Sequence, residues 1–359
     1  MMDFGAQTAP FAPPQQAAMS AATAAPPSPD RPARVLPGLL LSLLVATLAF
    51  SLGRALPLIG GPVLGIVLGL LVRNVLALPA STAPGIRFSS KYLLQAAVIL
   101  LGFGLDLHVV VRTGLSSLAV TLVTLVVAFL TAWGLARLLK VHHVLGTLIG
   151  VGTAICGGSA IAAVVPILRP DEHDTALAMS TIFLFNLLAV LLFPPLGHLL
   201  GLSDAGFGLW AGTAINDTSS VVAAGYHYSQ AAGDIATVVK LARATLIIPI
   251  CLVLAGWQVW RAHGRADGRP DLRGIVPWFI VGFLAASALR SAGLVPAGLL
   301  APLHLAAGFL IVLALTAVGL SADLRRMAAT GARPLLLGLG TWFAVAASSL
   351  LVQVLLQQA

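Results

Sequence analysis

From Val35 to the C-terminus, apolar runs of membrane-crossing length follow one another almost without interruption. A bilayer core of roughly 30 Å takes about 20 apolar residues per helix. Counted on that rule, runs fall near 35–53, 57–73, 91–106, 114–138, 144–168, 175–194, 205–226, 234–260, 274–292, 300–320 and 334–356. The expected fold is an all-α integral membrane protein with about 11 transmembrane or half-spanning helices. Only 9% of the residues are charged, against about 25% in a typical soluble domain. Such a chain lacks the polar surface that water requires.

The net charge of +8 invites a nucleic-acid partner, but no basic run is interleaved with aromatics. A Lys/Arg excess on the cytoplasmic side of a bacterial inner-membrane protein explains it better. With the N-terminus inside, fourteen Lys and Arg residues fall on cytoplasmic segments, among them Arg73, Arg87, Lys91 and Arg137. Arg54, Arg112 and Arg290 alone fall outside, with Arg169 ambiguous. Residues 1–33 carry seven prolines among Ala, Gln, Ser and Thr. They read as a disordered tail without a removable signal peptide, leaving 34–359 as the membrane domain. The two cysteines, Cys156 and Cys251, sit in separate apolar runs and imply neither a disulfide nor a metal site. No cofactor is expected.

An internal repeat lies at an offset of 217 residues. Arg73, Pro79 and Ala80 correspond to Arg290, Pro296 and Ala297; Asp106-Leu107 and Thr113-Gly114 correspond to Asp323-Leu324 and Thr330-Gly331. Gly65 and Gly102 match Gly282 and Gly319. The second and ninth runs are an odd number of crossings apart, so the copies would be inverted repeats, the arrangement on which many secondary transporters build alternating access. The competing explanation is coincidence in Gly/Leu-rich helices.

A shorter duplication is more specific. Gly152-Thr153-Ala154-Ile155-Cys156-Gly157-Gly158-Ser159 is echoed by Gly212-Thr213-Ala214-Ile215-Asn216-Asp217-Thr218-Ser219 sixty residues later, followed by Ser220. Both copies interrupt apolar runs with residues that weaken a helix interior and favour caps. Broken backbone at membrane depth is tolerated only where protein buries it or where it lines a wet cavity. Two broken or re-entrant helices sharing one site are therefore expected, with N–H groups and positive dipole ends directed at an anion. The alternative is two small-residue packing faces on intact helices. Asp217, Lys240 and Arg243 are ionisable residues inside apolar runs and must face partners. Lys240 and Arg243, three apart, share a helix face. One carboxylate against two cations leaves a positive surplus that suits an anion, and Asp217 offers a route to proton coupling. Snorkelling to the interface is the competing explanation for the two cations.

Weaker candidates fit structural roles. Gly61, Gly65 and Gly69 form a small-residue face for packing within the chain or across a homodimer. His142-His143 reads as an interfacial pair rather than metal ligands, and Asn186 as either a packing hydrogen bond or part of a pathway. Asp106 and Asp323 read as helix ends.

The stretches at 152–161, 211–225 and 239–243 (Val-Lys-Leu-Ala-Arg) resemble signatures of the YeiH-like family of bacterial membrane proteins, to which sulfate export is ascribed. The likeness runs from about Leu36 to the C-terminus. At 216–220 that family more usually shows His-Asp-Thr-Ser-Gln, against Asn-Asp-Thr-Ser-Ser here. The resemblance implies inverted repeats, discontinuous helices and a small inorganic or organic anion as substrate; it is Asp217 that points to H⁺ or Na⁺ as coupling ion. The residues expected to bind are Thr153, Cys156, Gly157, Gly158, Ser159, Asn216, Asp217, Thr218, Ser219, Ser220, Lys240 and Arg243. A cation/proton antiporter using Asp217 is the alternative. No paired carboxylates, metal cluster or nucleophile–base pair suggests an enzyme, and no nucleotide-binding loop suggests ATP hydrolysis.

Overall fold

A computed structural model describes residues 32–55, 60–261, 278–328 and 330–358. The Pro-rich tail, up to residue 31, lies outside the described residues, as do Arg265, Arg269 and Arg273 of the expected cytoplasmic set. Among the described residues every regular element is helical. In chain order these are α1 (Pro32–Ala55), α2 (Gly60–Val75), α3 (Ala80–Gly102), α4 (Leu107–Ser116), α5 (Leu118–Leu138), α6 (His143–Ala154), α7 (Gly158–Leu168) and α8 (Glu172–Leu199). There follow α9 (Asp204–Ala214), α10 (Thr218–Tyr228), α11 (Gln230–Thr245), α12 (Ile247–Arg261), α13 (Trp278–Ser291), α14 (Ala297–Ser321), α15 (Leu324–Ala328) and α16 (Ala332–Leu355).

The expected eleven crossings are not found. Six described helices are long and apolar enough to span a membrane: Val35–Ala55, Leu118–Leu138, Glu172–Leu199, Gln230–Leu254, Ala297–Ser321 and Ala332–Leu355. A seventh is reached by counting the pair α3 and α4, bent by 111°, as one span. The reason is geometric. Hydropathy counts apolar residues, whereas crossing needs them in one straight helix. The α2 helix has 16 residues and the described part of α13 has 14, about 24 and 21 Å at 1.5 Å per residue. The runs at 144–168 and 205–226 are each split into two short helices. Lipid contact is written on the long ones. In α1, Leu36, Leu40, Leu44 and Leu48 are exposed at i, i+4 spacing, an apolar stripe that water would not tolerate.

The repeat at offset 217 is a repeat of packing as well as of sequence. The α2 helix packs on α14 and α13 packs on α3; α5 and α16 pack on each other; α4 lies against α11 and α15 against α8. Each partner's counterpart thus meets the other's. Glycines permit the closest approaches: a Cβ on Gly69 would lie 2.3 Å from the Thr316 carbonyl oxygen, and one on Gly319 2.3 Å from that of Ile66. Asp106 caps α4 by accepting the His108 N–H at 2.7 Å, and Asp323 accepts the Arg325 N–H at 3.1 Å at the start of α15. Arg73-Asn74 ties the end of α2 to the start of α15. Arg73 pairs with Asp323 at 3.5 Å, and the Asn74 amide donates to the Ala322 carbonyl at 3.0 Å while accepting the Leu324 N–H at 2.9 Å.

Candidate functional site

Polar contacts at their ends show the path of the two broken segments. His142, just before α6, meets Asp174 in the first turn of α8 at 3.3 Å. So α7 returns to the end of the molecule where α6 began. At the other end of α8, Ser229 donates to the Asp204 carboxylate at 2.7 Å, and the Tyr228 hydroxyl donates to the Leu202 carbonyl at 2.5 Å. So α9 and α10 also form a hairpin. The two hairpins enter from opposite ends of the 28-residue α8, about 42 Å long, and their tips meet in the middle.

Each tip has its own local cause. At the first, Ile155 leaves the helix and Gly157 takes φ 66°, ψ −131°, a region that only glycine enters without strain. A Cβ there would also sit 3.3 Å from the Asp217 Cβ. At the second, Ile215 is extended and Asp217 caps α10: its carboxylate accepts the Ser219 N–H at 2.9 Å and the Ser219 hydroxyl.

Splitting helices at mid-depth exposes the last carbonyls of α6 and α9. Lys240 and Arg243, both fully buried on α11, satisfy them. The Lys240 ammonium donates to the carbonyls of Ile155 at 2.8 Å and Ile215 at 2.9 Å. The Arg243 guanidinium donates to Ala154 at 2.7 Å, to Thr153 at 3.0 Å and to Thr213. Two cations thus bind five carbonyls and offset two negative helix ends. The two share one helix face, as their spacing implies; both donate to the tip backbone, and neither side chain lines the cavity described next. Snorkelling is ruled out by their burial.

A cavity of about 1200 Å³ opens between α3, α7 and α13 and reaches the tips. Cys156, Gly158, Ser159, Asp217, Thr218 and Ser219 line its floor, so the first turns of α7 and α10 present their N-terminal ends to it. Its walls carry Arg73, Arg87 and Lys91, and Asp217 is the one acidic residue among the lining. The other expected residues lie behind this surface. Thr153, Gly157 and Asn216 belong to the tips, and Ser220 is buried in α10. Asn216 has neither amide atom bonded, and the Thr153 hydroxyl is likewise without a partner among the described residues.

Other contributors were not among the residues expected to bind. Asn186 on α8 accepts the Asp217 N–H at 3.1 Å, and its amide nitrogen lies 3.5 Å from where a Gly157 Cβ would be, so it sits at both tips. Arg87 and Lys91 were assigned to a loop before a span beginning at 91, but α3 begins at Ala80 and carries them inward through a π-helical turn at Ser89–Leu93. Their i, i+4 spacing, with Gln95 four further on, was the available signal; π turns recur at functional sites.

Residues 37–338 match the family model described as "Conserved hypothetical protein 698". A "UPF0324 membrane protein" of Streptococcus pyogenes serotype M6 is 44% identical over 329 residues, covering 89% of this chain and 97% of that protein. Proteins of the same name from Streptococcus agalactiae serotype V and Fusobacterium nucleatum are 41% and 40% identical over 332 and 340 residues, with the same coverage. No solved structure matches the chain. With its membrane-length helices, its YeiH-like motifs and this agreement along nearly the whole sequence, the chain belongs to the UPF0324 family of membrane proteins.

Proposed function

We propose that this protein is a secondary carrier for a small inorganic or organic anion such as sulfate, resident in the bacterial inner membrane with its N-terminus in the cytoplasm. The strongest support is the floor of the large cavity. Two helix N-termini, from hairpins of opposite origin, converge there beneath walls that hold Arg87, Lys91 and the Asp323-paired Arg73 against the one carboxylate of Asp217. Such ends bind anions through free N–H groups and the helix dipole, and the wall charges concentrate anions before they arrive. With the N-terminus inside, Arg73, Arg87 and Lys91 put the mouth of this cavity on the cytoplasmic side. The packing of α2 on α14 and of its counterpart α13 on α3 supports reading the two copies as inverted repeats, as in many carriers.

Coupling follows from the cap on α10. The Asp217 carboxylate holds the Ser219 N–H and hydroxyl, the donors an anion would want. Protonating Asp217 removes a competing negative charge, so anion binding and proton uptake assist each other. The test is flux of labelled sulfate and organic sulfonates into proteoliposomes under an imposed pH gradient. Saturable uptake that rises as the pH on the cavity side falls is expected, and Asp217→Asn should abolish that pH dependence. Sodium-driven proton release that is blocked by Asp217→Asn and indifferent to anions would instead establish a cation/proton antiporter.

A further inference from the structure

We propose that the preferred guest of the large cavity is an organic anion, with a compact acidic head on the floor and an apolar body in the chamber above it. This rests on the carrier function proposed above and names its substrate class. The cavity measures about 1200 Å³, beyond the roughly 300–1000 Å³ of sites that enclose drug-sized molecules. An ion no larger than a few waters, each about 30 Å³, fills only the floor of such a space. The remainder is walled mainly by hydrocarbon. The α3 helix runs inward from Ala80, and beyond Arg87 and Lys91 it turns Leu94 and Val98 to the cavity. Val98 lies about 16 Å further along the helix than Arg87. Ala163 on α7, Met179 and Phe183 on α8 and Ile247 on α12 line the same space.

This apolar wall begins at the anion floor itself. A Cβ on Gly158, in the first turn of α7, would lie 3.1 Å from the end of the Met179 side chain and 3.8 Å from the Phe183 ring. A head held by the first turns of α7 and α10 therefore has a thioether and a phenyl ring beside it. A sulfonate suits that seat. Three oxygens accept from the helix ends near Ser159 and Ser219, and the fourth tetrahedral direction carries carbon to the wall. Inorganic sulfate in the same seat aims a charged oxygen at Met179 and Phe183, which donate no hydrogen bond to it, and so stays partly desolvated and unpaired. An apolar body instead covers the wall and releases water from both surfaces. Met179 is flexible enough to fit bodies of different shape. Arg87 and Lys91, nearer the mouth, draw the anion in.

A chain-length series reads the body apart from the head. Methanesulfonate, propanesulfonate, hexanesulfonate and inorganic sulfate are titrated calorimetrically into the purified protein, with empty detergent micelles as the blank. The Kd is expected to fall about two- to fourfold for each added methylene, fourfold being the value for a fully buried one, and sulfate should bind more weakly than propanesulfonate. Uncharged hexanol should not displace hexanesulfonate. Met179→Ser and Phe183→Ser should each narrow the gap between hexanesulfonate and methanesulfonate by about threefold or more. Phe183 is 40% exposed, so its replacement hollows no core. Binding that is indifferent to chain length overturns the proposal and leaves the anion site standing. An unchanged gap in both variants, or displacement by hexanol, overturns it as well, because the body then lies elsewhere or the head is no anchor. No binding of any of the four anions, by protein that still unfolds cooperatively, removes the anion carrier too.

Discussion

Arg243→Ala is expected to lower the unfolding free energy by about 3–5 kcal/mol, the scale on which losing one partner of a buried charged network destabilises a protein. The guanidinium holds carbonyls of Thr153, Ala154 and Thr213, and no other described side chain reaches them. Removing it strands three buried acceptors at two helix ends, in a place water does not reach, and leaves those ends without the charge that offsets their dipoles. Arg243→Lys should recover part of the loss, because the charge returns but an ammonium cannot span both tips as the planar fork does. Thermal unfolding in detergent, followed by tryptophan fluorescence, measures both. A near-neutral Arg243→Ala would mean that the tips are held by something other than α11.

Gly157→Ala should cost about 1–3 kcal/mol from backbone strain alone, and should impair transport more than that figure suggests. A methyl at this φ and ψ also presses toward Asp217 and the Asn186 amide, pushing apart the two tips. Gly158→Ala is the natural control. Its Cβ would meet the end of the Met179 side chain at 3.1 Å, and a thioether yields readily. The pair of variants, one residue apart, should therefore separate widely in unfolding midpoint, with Gly158→Ala close to the parent protein. Equal effects would show that the left-handed turn at the first tip matters no more than the crowding around it.

Much of this site was legible from residue types. The eight-residue duplication located both tips, and the three-residue spacing of Lys240 and Arg243 placed two cations on one face. What composition could not give is direction. The two loops between the hairpins carry one basic residue, Arg169, so charge asymmetry is silent on whether each broken segment crosses or turns back. Contacts between positions far apart in the chain decide it, His142 with Asp174 and Ser229 with Asp204. The same limit explains the inflated span count, because hydropathy reports how apolar a stretch is and not whether it runs straight. It also explains what a charge count leaves out: such a count sees one Asp against a Lys and an Arg, whereas five tip carbonyls, invisible in any sequence, accept from both cations. Arg87 and Lys91 were misplaced for the opposite reason. Charged residues inside a helix look like the loop before it until the helix is seen to begin seven residues ahead of Arg87, at Ala80.

An anomalous-scattering measurement on crystals grown with selenate addresses the central claim most directly. Selenate has the charge and shape of sulfate and marks its own position. The account predicts a peak at the floor of the large cavity, within hydrogen-bonding reach (roughly 3 Å) of the first-turn groups of α7 and α10 at Ser159 and Ser219. Selenate bound only elsewhere, or the floor left bare while rubidium used as a sodium substitute occupies a position against Asp217, would contradict it.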